Sequence, residues 1–237
     1  MGQKKLLRFH AIGSFPNVLQ YPEGMPGKWR DLFKNDNPLT LELACGKGEY
    51  TVGLSRLHPD RNFIGVDLKG NRIYSGALQC LQESISNAAF LRTHIVQIDQ
   101  YFSPGEIEEI WITFPDPHLR TSHAKKRLTH PRFLRLYQHI IKPNGHIHLK
   151  TDSPELFHFT KLIADLYGMD ISDESEDVHG RIENPPEINI RTHYENLDIA
   201  ASKQVYYLKF TLPLQPIPLP DIKLQELLKE IEKTKTL

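Results

Sequence analysis

The chain has 237 residues, with 29 Lys and Arg balanced by 29 Asp and Glu, and 39% of it is hydrophobic. That length can bury one large core, and the neutral balance removes bulk charge as an argument for a polyanionic partner. Two cysteines, Cys45 and Cys80, make neither a disulfide framework nor a zinc-like spacing, and no apolar run is long enough to cross a bilayer.

At the amino end Lys4, Lys5 and Arg8 are not followed by the apolar stretch of a secretory leader, so a cytoplasmic protein with no membrane partner is expected. Residues 1–37 hold Pro16, Pro22, Gly24, Pro26 and Gly27 with little periodicity, which predicts an irregular arm. From Leu39 strand and helix patterns alternate. Leu39 to Leu43 reads as a short strand running into Ala44-Cys45-Gly46-Lys47-Gly48, and helical spacing follows from Glu49 to Leu57. Asn62 to Val66 is a second strand that delivers Asp67 at its end. Residues 70–86 make a helix with Ile73, Ala77, Leu78, Leu81 and Ile85 on one face.

Ala88 to His94 and Ile110 to Phe114 are further strands, and Pro131 to Ile141 is a helix stopped by Lys142-Pro143-Asn144-Gly145. His146 to Lys150 is a strand reaching Thr151-Asp152, a helix runs from about Pro154 to Tyr167, and Val205 to Leu212 closes the unit as a strand. This alternation predicts a parallel, doubly wound α/β sheet over 38–212, with ligands at the carboxyl ends of its strands. Residues 213–237 form a stiff Pro-rich connector and a short amphipathic helix, 221–235, assigned to packing or self-association.

Trp111 to Arg127 stands out. An apolar strand breaks into Pro115-Asp116-Pro117, a carboxylate between two rings that fix φ and donate no N–H. Across 118–135 there follow six Lys or Arg, three His and no acid. One carboxylate beside a cationic loop suits a site that accepts an anion, and such a run engages phosphates. Charge runs are more often only solvated faces; the position directly after the carboxylate is what favours RNA here.

The glycine turn after the first strand, with Asp67 about twenty residues on, has the outline of a dinucleotide site. The third glycine is missing, because that position is Thr51. Leu-Glu-Leu-Ala-Cys-Gly-Lys-Gly, residues 41–48 with the preceding strand, instead resembles the first motif of class I S-adenosylmethionine-dependent methyltransferases. Phe114-Pro115-Asp116-Pro117 with His123 to Leu128 resembles the signature of bacterial tRNA (guanine-N7-)-methyltransferases. His148 to Asp152 resembles that family's fifth-strand Thr-Asp, and Thr192-His193-Tyr194-Glu195 its Thr-x-Tyr/Phe-Glu element.

The resemblance spans about Leu39 to Leu212 and implies a Rossmann-like, mostly parallel sheet of seven strands with helices on both faces. It implies methyl transfer from S-adenosyl-L-methionine to N7 of a tRNA guanosine by a monomer or homodimer. Carried over, it assigns Asp116 to catalysis, Glu42, Asp67, Asp99 and Asp116 to the cofactor, and Arg120, Asp152 and Thr192 to Glu195 (Thr192, His193, Tyr194, Glu195) to the substrate. The turn glycines Gly46 and Gly48 are read as cofactor-binding from their place after the first strand, and Lys125, Lys126 and Arg127 as RNA phosphate contacts from the cationic run. The family's Trp after the aspartate is here replaced by Pro117-His118, which removes a stacking surface. Two alternatives remain open: a class I enzyme acting on an exocyclic amine of a base, or a tRNA-binding homologue with impaired catalysis. No ligand set for a metal is recognisable among the twelve histidines.

Overall fold

A strand whose side chains are buried on both faces needs cover on both sides, and Leu39–Leu43 is buried along its whole length. The computed structural model describes residues 2–192, 195 and 204–234. Its strands are β1 (Val18–Gln20), β2 (Leu39–Leu43), β3 (Asn62–Asp67), β4 (Ala88–Arg92), β5 (Ile107–Thr113), β6 (Ile141–Thr151), β7 (Asp170–Ser175) and β8 (Tyr206–Thr211). They form one sheet in the order β1-β4-β3-β2-β5-β6-β8-β7. The first six in that order run parallel, and β8 is antiparallel to both of its neighbours.

The helices are α1 (Gly2–Ala11), α2 (Trp29–Phe33), α3 (Glu49–Leu57), α4 (Gly70–Gln82), α5 (Pro131–Ile140), α6 (Pro154–Leu166) and α7 (Ile222–Thr234). Side chains alternate across each strand, so neighbours in sequence face different layers. Leu41, Leu43, Ile110 and Ile112 pack with Leu134 and Tyr137 of α5 and Leu156 and Phe157 of α6. Trp111 faces the other way, against Tyr50 and Leu54 of α3 and Val178 and Ile188 of the segment before β8. Chain order reverses at β2, between β3 on one side and β5 on the other, which opens a crevice at the carboxyl ends.

Two expectations need correction. The sheet has eight strands, and residues 1–37 are not irregular. Val18 pairs with Phe90, so β1 extends the sheet beyond β4. Trp29 and Phe33 of α2 enter the main core, and the Trp29 indole N–H donates to the Tyr101 carbonyl at 2.9 Å. A three-residue strand and a five-residue helix are too short to show a period, and pairing with distant residues defines them. β7 was also unread, because as an edge strand it alternates exposed and half-buried residues with no apolar run. Among the described residues no helix is long and apolar enough to cross a membrane.

The carboxyl-terminal segment is tied to α5. Arg135 forms an ion pair with Asp221 and donates to the Pro218 carbonyl, and the Gln138 amide donates to the carbonyls of Pro213 and Gln215. Ile217 and Leu224 are buried in the same core as α5.

Candidate active site

The carboxyl ends of β2 and β5 border a cleft of about 610 Å³ whose lining includes Glu42, Gly46, Asp116, Asp152 and Thr192. Alternation along β2 turns Glu42 to the α3 side, where its Oε2 accepts the Thr51 N–H at 2.8 Å and the Thr51 hydroxyl. Its Oε1 accepts the Thr113 hydroxyl at 2.8 Å. Thr51 stands where a dinucleotide turn wants its third glycine, and it serves instead to hold this carboxyl. Burial lifts the Glu42 pKa to about 7, against the hydrogen bonds from Thr51 and Thr113 that pull it down. A carboxyl held partly neutral in a cleft wall is primed to ionise when a cation arrives.

The turn after β2 runs through left-handed backbone at Ala44 (φ 59°), Gly46 (φ 58°) and Gly48 (φ 77°). A Cβ on Gly48 would lie 2.5 Å from the Phe90 ring, so glycine there lets the turn pack directly on that side chain of β4, two strands along the sheet. Gly48 does not line the cleft; it shapes it. Asp67 accepts the Gly46 N–H at 3.0 Å and the Lys69 N–H at 2.7 Å, one on each oxygen. It lines a neighbouring hollow of about 270 Å³, together with Ala44, Leu68, His94 and Val96. The two spaces share Ala44. Asp99 is a different case: it sits on the 3-10 turn Ile95–Gln100 and lines neither space, whereas His94, directly after β4, does.

On the β5 side Phe114 (φ 46°) and His118 (φ 44°) are also left-handed, a conformation that costs a non-glycine residue about 1–3 kcal/mol and gathers at functional sites. They bracket Asp116, whose side chain is 74% exposed and accepts the His118 N–H at 3.1 Å. Mainly through burial, the His118 pKa falls below its ordinary value, with Asp116 opposing.

Arg127 turns inward. It is 6% exposed, its guanidinium donates to the carbonyls of Pro117, His118 and Leu119, and it lies over the Phe159 ring at 4.4 Å. It holds the loop after Asp116. Lys125 and Lys126 beside it are exposed, and so is Arg120, which does not line the cleft.

Asp152, after β6, and Thr192 also line the cleft. The Thr192 N–H donates to Glu195 Oε2 at 2.9 Å, and the Glu195 N–H donates back to Thr192 Oγ1 at 3.3 Å. Glu195 is 5% exposed and pairs with the fully buried Lys150 at 2.9 Å. Lys150 also donates to the carbonyls of Ile188 and Ile190, at 2.8 and 2.9 Å. Glu195 therefore holds Thr192, which lines the cleft, in place. His193 and Tyr194 lie outside the described residues. Sequence reasoning missed Lys150, whose burial no local pattern signals. It also missed Lys47, Lys69 and Arg72, which bring three cations to the cleft from the glycine turn and the start of α4.

A parallel sheet reversing at β2, with a glycine turn and an acid at the end of β3, is the fold of a class I methyltransferase. The solved structure of the 16S rRNA methyltransferase KamB superposes with a TM-score of 0.60 at 13% identity, covering 83% of this chain and 99% of that one. The family described as "Putative methyltransferase" matches residues 36–208. The tRNA (guanine-N(7)-)-methyltransferase of Bacteroides fragilis is 43% identical over 235 residues, covering 95% of this chain and 92% of the relative. That of Porphyromonas gingivalis is 46% identical over 212 residues, covering 84% and 86%. The chain belongs to the tRNA (guanine-N(7)-)-methyltransferase family.

Proposed function

We propose that this protein methylates N7 of a guanosine in tRNA, with S-adenosyl-L-methionine as the methyl donor. The observation that carries the reading is one cleft bordered by Glu42 at the end of β2 and Asp116 after β5, in a chain whose relatives bear that activity's name. The residues present fit the donor. Glu42, a buried carboxyl with its pKa near 7, gains from a positive charge nearby; Asp67, with one backbone N–H on each oxygen, keeps lone pairs for hydroxyls. When bound, S-adenosyl-L-methionine supplies an electrophilic methyl group.

Guanine N7 carries a lone pair and no proton, so no residue of this chain has to act as a general base. What the chain supplies is alignment and charge. Positive charge grows on the purine as N7 is alkylated. Asp116, fixed by the His118 N–H, places a carboxylate where that charge develops and where ring N–H groups can be accepted. Asp152 and Thr192 line the same cleft. Lys125 and Lys126 are exposed beside the loop, and Lys47, Lys69 and Arg72 line the cleft; they give phosphates a path to the site. A target base inside folded RNA has to be extruded to reach this depth. The reading also makes the protein a cytoplasmic one, acting as a monomer or homodimer.

Incubation with labelled S-adenosyl-L-methionine and unmodified tRNA, then cleavage at 7-methylguanosine, tests it directly. Label is expected at N7 of guanosine. Label on an exocyclic amine, or tRNA binding without transfer, overturns it. Asp116→Asn should lower the rate of transfer by about 10²–10³-fold with the melting temperature unchanged; ordinary turnover would remove the carboxylate from the mechanism.

A further inference from the structure

A second cavity, of about 280 Å³, lies on the α3 face toward the amino ends of β5 and β6, with Pro185, Glu187 and Ile188 as its outer wall. Trp111 and His148 line it, 3% and 4% exposed, with their rings stacked at 3.9 Å. Among the described residues Trp111 Nε1, His148 Nε2, His146 Nδ1 and Arg61 Nε and Nη2 are buried without a hydrogen-bond partner, and all four residues line this one space. Arg61 Nη2 lies 3.4 Å from Glu109 Oε2, a charge contact without a formed hydrogen bond.

The demand is for acceptors. Indole and guanidinium nitrogens only donate, and a buried donor left unmet is costly. His148 shares Nδ1 with the Tyr207 hydroxyl at 2.8 Å, so when that hydroxyl donates, Nε2 carries the proton and donates as well. The other carboxylates of the wall are already engaged, Asp173 by two hydrogen bonds from Arg181 and Glu187 by His58 at 2.6 Å. These donors call for an acceptor with several oxygens, such as an anion or a carbonyl group. Arg61 and Lys209 bring positive charge to the wall, and each of its carboxylates, Glu109, Asp173 and Glu187, already has a basic partner.

We propose that this cavity binds a small oxyanion-bearing molecule, a carboxylate or a phosphate, whose oxygens are received by Trp111, Arg61 and His148. Apolar parts of such a ligand meet Leu54 and Phe63. The site is independent of the cleft and of the reaction assigned to it.

The protein's two tryptophans make the test. The Trp29 indole N–H is already bonded to Tyr101, so it serves as an internal reference, while that of Trp111 faces the cavity. Nitrogen-15 correlation spectra are recorded during titration with inorganic phosphate and, separately, with acetate at constant ionic strength; Trp111→Phe assigns the two signals. A saturable shift of the Trp111 indole with Trp29 unmoved is expected, and the titrant that saturates tells a phosphate ligand from a carboxylate. Arg61→Gln should weaken that binding by about tenfold or more, with the Trp29 signal in place to show that the variant is folded. Three results overturn the proposal. These are no saturable shift with either anion, a shift untouched by Arg61→Gln, or a Trp111 indole whose only contact is with exchanging water.

Discussion

The two sides of the cleft are held by different means. On the β2 side the shape comes from backbone: left-handed residues at Ala44, Gly46 and Gly48, and peptide N–H groups that orient Asp67. On the β5 and β6 side it comes from long cationic side chains acting on carbonyls. Arg127 gathers those of Pro117, His118 and Leu119, and Lys150 those of Ile188 and Ile190. A backbone device requires particular residues at particular steps, so it leaves a motif. A buried cation leaves none, because in a sequence it looks like any surface charge.

The largest effect should come from breaking the second kind of device. Lys150→Met leaves Glu195 as a buried carboxylate without its cation and should cost about 3–5 kcal/mol of stability. The double variant Lys150→Met, Glu195→Leu should recover a large part of that loss in a denaturant melt. No recovery would mean that the carbonyl contacts, not the ion pair, dominate.

Gly48→Ala attacks the backbone device. Its new Cβ meets Phe90 in a left-handed conformation, which should cost about 1–3 kcal/mol and move the turn. Donor affinity by calorimetry should fall with it, while tRNA affinity is retained.

Arg127 and its neighbours separate holding from contact. Arg127→Gln frees the loop after Asp116 and should lower kcat/KM by roughly tenfold, the cost of about one charged hydrogen bond, with the salt dependence of tRNA binding unchanged. Lys126→Gln should weaken binding across all tRNAs and reduce the slope of log K against log salt by about 0.7–0.9. Equal slopes for the two variants would erase the distinction.

The smallest effect concerns pH. The Glu42 pKa is raised from 4.5 to about 7, so the folded protein binds this proton where the unfolded chain has lost it. The stability it contributes is full below about 4.5 and is lost as pH rises through about 7. Melting of the donor-free protein should show that decline, and Glu42→Gln should flatten it. A cation bound beside Glu42 should release the proton to the buffer, so that the heat of binding varies with the buffer's ionisation enthalpy in calorimetry.

Much of the fold was legible because β2 to β6 carry apolar runs separated by helical spacing. The strands that escaped were β1, too short to have a period, and β7, half solvated at an edge. Within the site, Glu42, Gly46, Asp67, Asp116, Asp152 and Thr192 come together at or beside the cleft, since each follows a strand or turn at a fixed offset. Asp99 lies further along the chain than the residues after β4 that line the hollow, Thr93 to Val96, because the strand stops at Arg92. The inward turn of Arg127 and Glu195 was hidden for the reason Lys150 was missed: which charges turn inward is decided by packing against Phe159 and by carbonyls distant in sequence.

The two strands that were hardest to read also finish the sheet. An open row of backbone donors and acceptors is a template on which another chain can add a strand and begin to aggregate. Here one border is only three residues long, and the other presents Asp170, Ser172 and Glu174 outward. A second copy adding to β7 would bring those acids against its own, and one adding to β1 would find little to pair with. Replacing Asp170 and Glu174 with Val and Thr would leave the cleft untouched and should turn that border into a nucleus for fibres.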